Sequence, residues 1–167
     1  TYKIIKELEK FKKKVNTNKL NKKKYMIGIN KIVPRNWEIK SYPQKNWGDL
    51  SAILRENKNL KVSFQKKMSL KNYVKWIKSC DIIISVVGLG VHIAKYFDKK
   101  IIMLVGPTDF FESKNDGHIH KVFPDKRCHV DKKKLNLKYK NCNCMKNIKI
   151  EKIINKLDKI TNYESRF

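Results

Sequence analysis

The stretch from Ser79 to Asp109, SCDIIISVVGLGVHIAKYFDKKIIMLVGPTD, constrains this chain more than any other part of it. It contains two apolar runs, Asp81–Val87 and Ile101–Val105, each rich in β-branched residues and each followed by glycine. Runs of this kind read as strands buried on both faces, as in a parallel sheet covered by helices. Between them, Leu89–Phe97 supplies one short amphipathic helix, and parallel neighbours require such a crossover. The stretch is therefore a βαβ unit. Open α/β sheets bind their ligands outside the carboxyl ends of the strands. Here those ends are Val86-Val87-Gly88-Leu89-Gly90 and Gly106-Pro107-Thr108-Asp109, and a ligand is expected there.

The rest of the chain extends the same pattern. Residues 1–24 carry Ile4, Ile5, Leu8, Phe11 and Val15 at helical spacing and then turn polar, which reads as a surface helix and linker. Tyr25–Asn30 reads as a first strand, followed by a polar loop over Lys31–Tyr42. A helix is expected from Pro43, with Trp47, Leu50, Ile53 and Leu54 as its buried face. Leu60–Phe64 reads as another strand. Ser69 then caps a helix bearing Leu70, Tyr73, Val74 and Ile77 on one side. Beyond Asp109 the pattern dissolves into a polar loop, Phe110–Lys134, with a short strand expected at His120–Phe123. Residues 148–160 form a final amphipathic helix with Ile150, Ile153, Ile154, Leu157 and Ile160 inward. The domain expected over residues 25–160 is thus α/β, Rossmann-like and three-layered, with a parallel sheet, and 161–167 form a tail.

Composition narrows the function classes. At 167 residues the chain is one domain with room for a sizeable core. A formal charge of +25 raises nucleic acid or an anionic membrane as partners. Yet only Arg35, Arg55, Arg127 and Arg166 among the 40 basic residues are arginines. Base readout and phosphate forks favour arginine, so a lysine excess spread through every segment, beside abundant Asn and Ile, reads first as compositional drift. No apolar run is long enough to span a bilayer, and the start lacks a signal peptide's apolar centre. It also lacks an initiator Met, as expected of a processed chain or a piece of a longer one. The four cysteines are unevenly placed and make no disulfide framework, which points to a reducing cytoplasm.

Several segments, in their order, resemble the C-terminal half of glycosyltransferase family 9, the ADP-heptose–lipopolysaccharide heptosyltransferases. Lys40-Ser-Tyr42-Pro43-Gln-Lys-Asn-Trp47 is similar to the family's Lys-x-Trp-Pro-x-x-x-Trp loop. Val87-Gly88-Leu89-Gly90-Val91-His92-Ile93-Ala94 resembles its Asp-Ser/Thr-Gly-x-x-His-Leu-Ala motif. Gly106-Pro107-Thr108-Asp109 and Cys144-Met145-Lys-Asn-Ile148 match two further motifs. The resemblance covers about residues 25–160. It implies one Rossmann-like half of a two-domain GT-B fold, binding a nucleotide-sugar donor for transfer to a glycan or lipid-linked acceptor in lipopolysaccharide synthesis. The acceptor domain and its general base would precede residue 1 or belong to a second chain, so the sequence identifies no catalytic residue of its own. Two departures bear on activity. Val87 and Leu89 stand where the family has Asp and Gly, and the span from Trp47 to Ser69 lacks a βα unit with a Glu-bearing segment. A different donor or a degenerate copy follows from either.

Transfer from a nucleotide sugar requires stabilisation of the departing diphosphate. Backbone N–H groups at a glycine turn entering a helix supply this without a metal. Gly88-Leu89-Gly90 and Gly106-Pro107-Thr108 fit that role, with the Thr108 hydroxyl as a further donor and Lys40 as a point charge. The same glycines also serve as plain strand-to-helix turns. His92, in the first turn of the crossover helix, reads equally as a ligand contact or as a structural hydrogen-bonder. Asp109 suits holding its loop through backbone N–H groups. Cys128, His129, Cys142 and Cys144 are a candidate four-ligand metal set, with reduced loop thiols as the alternative, and no other cofactor is implied. Two rival readings stand beside the donor domain: a basic module held to nucleic acid or to the inner face of an anionic membrane, and a structural remnant that binds nothing.

Overall fold

The computed structural model describes residues 24–107, 117–126 and 142–164. The expected N-terminal helix, Thr108, Asp109, Cys128 and His129 lie outside the described residues. Among these residues five strands form one sheet: β1 (Tyr25–Asn30), β2 (Leu60–Phe64), β3 (Ile82–Val86), β4 (Lys100–Leu104) and β5 (Ile119–Val122). All four pairings are parallel and the order is β2-β1-β3-β4-β5. Among the described residues four α-helices connect and cover them: α1 (Gln44–Glu56), α2 (Leu70–Ser79), α3 (Leu89–Tyr96) and α4 (Ile150–Glu164). The fold is the expected three-layer, Rossmann-like α/β domain.

Strand residues alternate between two cores. Ile27, Ile29, Ile82, Ile84, Ile102 and Leu104 face α1 and α4. Ile83, Val87, Ile101, Met103 and Val105 face α2 and α3. The run Ile82-Ile83-Ile84 is consequently buried on both sides at 0–1% exposure. Each such side chain contributes about 1.5–3 kcal/mol over an exposed one. Asp81 fixes the register of the central pair. Its Oδ2 accepts from Met26 N and its own N–H donates to Met26 O, both at 2.8 Å. Gly28 lets this pair close, because a Cβ there would lie 2.7 Å from Cys80 Sγ and from Ile83 Cδ1. Burial pushes the Cys80 thiol up to about 11, so it behaves as a small apolar residue rather than a nucleophile.

The structure corrects three expectations. The loop expected over Lys31–Tyr42 contains a 3-10 helix at Arg35–Lys40, kinked at Trp37. Ile53 is 43% exposed, and Ser51 takes its place on the buried face of α1. Trp47, Leu50, Ser51 and Leu54 fall at i, i+3, i+4 and i+7, a continuous helical stripe from which Ile53 is rotated away. The Ser51 hydroxyl is tolerated there because it donates to Gly48 O at 3.0 Å. The last helix runs from Ile150 to Glu164, beginning and ending later than the apolar pattern indicates. The other elements lie where expected. Ser69 caps α2 with its side chain accepting from Asn72 N, and β5 at Ile119–Val122 begins one residue before the anticipated strand.

Candidate ligand crevice at the sheet edge

The sheet order locates the site. From β1 the chain turns to α1 on one face, and from β3 it turns to α3 on the other. The carboxyl ends of these hydrogen-bonded neighbours therefore part, leaving the crevice in which doubly wound sheets hold ligands. One wall is the β1–α1 connection, Lys31–Trp47. The other is the β3–α3 turn, Val87–Leu89.

The β1–α1 wall encloses a cavity of about 900 Å³. Lys31, Arg35, Asn36, Glu38, Ser41 and Gln44 give it a polar rim, and Tyr42, Trp47 and Met145 an apolar floor. Tyr42 and Trp47 explain the spacing of their motif. Pro43 is the N-cap of α1, so Tyr42 and Trp47 occupy N′ and N4, the two positions of a hydrophobic staple. Their rings meet edge to face at 5.0 Å. The Tyr42 hydroxyl donates to Ile148 O at 3.0 Å, tying the cysteine-bearing turn to this wall. Burial is the chief cause of the raised Tyr42 pKa. Trp47 is 1% exposed, and its indole N–H has no hydrogen-bond partner among the described residues.

The β3–α3 wall is made of backbone. An added Cβ on Gly88 would meet nothing within 4 Å among the described residues, so they leave the turn open on that side. Gly88 provides no side-chain cap to α3, whose first N–H groups have no intrahelical acceptor. Leu89 is 47% exposed, while Val87 is 6% exposed and packs into the core beneath α2 and α3. The β3 turn thus offers a ligand no carboxylate. Gly90 has a different task. A Cβ there would overlap Asn30 Nδ2 and the Tyr73 hydroxyl, so glycine lets α3 sit directly on these groups.

Those groups belong to a buried network that local sequence patterns did not reveal. The Tyr73 hydroxyl donates to Asn30 Oδ1, Asn30 Nδ2 donates to Ser85 Oγ, and Ser85 Oγ donates to Val86 O, each at 2.7 Å. Asn30 ends β1 and Ser85 is the last residue but one of β3, so the network joins both walls at their base. Burial drives the Tyr73 phenol up to about 12, keeping it a proton donor throughout the physiological range. The only advance signal was Asn30 and Ser85 standing as polar residues in otherwise apolar strands.

Other expected site residues are described as well. His92 is exposed on the first turn of α3. Gly106 and Pro107 are buried after β4, and a Cβ on Gly106 would overlap the Met145 side chain. Lys40 does not line the cavity. Its ammonium lies 4.2 Å from the Trp37 ring centroid, outside the lining residues. Cys142 lines the cavity and Cys144 is buried in the turn behind it. Among the described residues no group of His, Cys, Asp and Glu could hold a metal. No described helix is long and apolar enough to cross a membrane.

No model of a protein family matches the sequence, and no curated protein does. Solved structures do match. Escherichia coli ADP-heptose LPS heptosyltransferase II superposes with a TM-score of 0.62 at 13% identity, over 88% of this chain and 49% of that one. E. coli heptosyltransferase WaaC with ADP-2-deoxy-2-fluoro heptose gives 0.55 at 14% identity, over 91% and 47%. The glycosyl transferase family 9 structure from Veillonella parvula DSM 2008 gives 0.56 at 15% identity, over 89% and 48%. The chain spans about half the length of each of these structures. At these identities the likeness is one of fold, and it bears out the resemblance seen in the motifs.

Proposed function

We propose that this chain is the nucleotide-sugar-binding half of a GT-B glycosyltransferase. The observation that carries the reading is the crevice between diverging β1 and β3, walled by the Gly88 turn at the start of α3. Its support is the fold shared with heptosyltransferases solved with ADP and with ADP-2-deoxy-2-fluoro heptose.

In this reading the donor's diphosphate lies at the N-terminus of α3, against the amides of Gly88–Gly90. The aligned peptide dipoles there favour an anion. Their value rises as the glycosyl bond lengthens and charge accumulates on the leaving diphosphate. Lys31 and Arg35 of the opposite wall, with Lys146 lining the same cavity, add positive charge. A glycan or lipid-linked acceptor and the base that activates its hydroxyl come from a second domain or chain closing over the crevice. Peripheral attraction to an anionic membrane is a consequence of the +25 charge rather than a separate function.

Calorimetric titration with ADP, UDP and GDP at two salt concentrations tests this. Saturable binding selective for one base and retained at high salt is expected. Binding of all three that vanishes at high salt would mark a purely electrostatic module instead.

A further inference from the structure

The crevice divides its chemistry unequally, and the division assigns a place to the glycosyl group. The β3–α3 wall offers a ligand backbone amides and no acidic side chain, because Val87 is turned into the core. That is a surface for anionic oxygens. The β1–α1 wall is of another kind. Around its cavity stand Asn36, Ser41 and Gln44, neutral groups that both donate and accept, together with Glu38, the single carboxylate among the lining residues. The floor is the Trp47–Tyr42 staple and Met145. A ligand dense in hydroxyls requires both donors and acceptors, and its C–H face requires an apolar surface.

The two walls are adjacent. Asn30, immediately before the cavity's first lining residue, pairs in register with Ser85, three residues before Gly88. Neighbouring strands lie roughly 4.8 Å apart. A diphosphate at the turn therefore has its next substituent at the cavity mouth, and about 900 Å³ accommodates a glycosyl unit with room for the group that attacks it.

Resting on the donor-binding reading above, we infer that the β1–α1 cavity is the glycosyl subsite, with Glu38 at its polar rim accepting hydrogen bonds from sugar hydroxyls. Arg35 and Lys146 stay near the diphosphate's charge, and the specificity for the sugar is set by Glu38, Asn36 and Gln44.

The test pairs each diphosphate with its sugar: ADP with ADP-glucose, UDP with UDP-glucose, GDP with GDP-mannose, titrated against the wild-type chain and Glu38→Gln. At least one nucleotide sugar is expected to bind about tenfold or more tightly than its own diphosphate. Glu38→Gln, at an exposed position, is expected to erase that gain and leave the diphosphate's Kd within about twofold, since a site built to pair with hydroxyls loses discrimination when the pairing group changes. If a diphosphate binds but no sugar adds affinity, or the gain survives in Glu38→Gln, the subsite is wrong and the donor reading stands. If no diphosphate binds, both fall together.

Discussion

The two walls of the crevice are built by opposite means. The β3–α3 wall is backbone held in place by what lies beneath it: an open Gly88, and a Gly90 seated on Asn30 and Tyr73. The β1–α1 wall is side chain, a 3-10 turn and an aromatic staple shaping a cavity whose rim is polar. A backbone wall recognises charge and tolerates changes of side chain that do not displace it. A side-chain wall recognises shape and hydroxyl pattern and changes its ligand with each substitution. One fold can thus keep a diphosphate site while the partner group varies.

The largest expected effect breaks the side-chain wall at its floor. Trp47→Ala empties a fully buried site and removes the partner of Tyr42. It should cost about 3–5 kcal/mol in denaturant unfolding. A loss below about 1 kcal/mol would mean that the staple does not organise this wall. Gly90→Ala attacks the backbone wall instead. Its methyl would overlap Asn30 Nδ2 and the Tyr73 hydroxyl, forcing α3 outward at about 1–3 kcal/mol. Nucleotide diphosphate affinity should fall with it, because the displaced amides are those of the first turn.

Tyr73→Phe tests the joint between the walls more gently. The ring stays and the hydroxyl goes, leaving Asn30 Oδ1 buried without its donor. That should cost about 1–2 kcal/mol, and less would indicate that water replaces the hydroxyl.

What the sequence disclosed follows the same division. β3, α3 and β4 were legible almost to the residue, because a strand buried on both faces must be continuously apolar and a parallel neighbour must be reached by a crossover. The glycines between them were equally visible. The network was not, since Tyr73 meets Asn30 across 43 residues and Asn30 meets Ser85 across 55, distances that no local period encodes. The cavity escaped for a related reason. Its rim depends on how Lys31–Tyr42 coils, and a polar tract carries no apolar stripe to report a 3-10 turn. Lys40 borders Tyr42 and Pro43 in sequence, and its ammonium lies 4.2 Å from the Trp37 ring centroid, a contact that the motif does not report.

Away from the crevice, the far edge of the sheet supplies a control. Burial lowers the pKa of His120 on β5, and Lys100, Lys156 and His118 lower it further. A histidine whose folded pKa lies below the unfolded value near 6.5 binds fewer protons when folded. Its stabilisation is complete above about 6.5 and declines as pH falls through that value towards the folded pKa. Unfolding midpoints should therefore drop modestly in mild acid, and His120→Gln should flatten the slope without altering diphosphate binding. A slope unchanged by His120→Gln would place the acid-sensitive group elsewhere.

The smallest expected effect is the most discriminating. Gly88 and Gly90 flank one residue in the same turn, and pattern alone treats them alike. Gly88 has a φ of 161°, an extended conformation open to any residue, and none of the described residues stands where its Cβ would be. Gly88→Ala should leave stability within about 0.5 kcal/mol of wild type. Its methyl would nonetheless project into the open side of the turn, where the diphosphate is proposed to lie. Unchanged folding with weakened diphosphate binding would show that glycine is needed at Gly88 for the ligand and at Gly90 for the fold. Equal losses of stability at both positions would show instead that the turn is structural throughout, and the distinction between the walls would lose its backbone half.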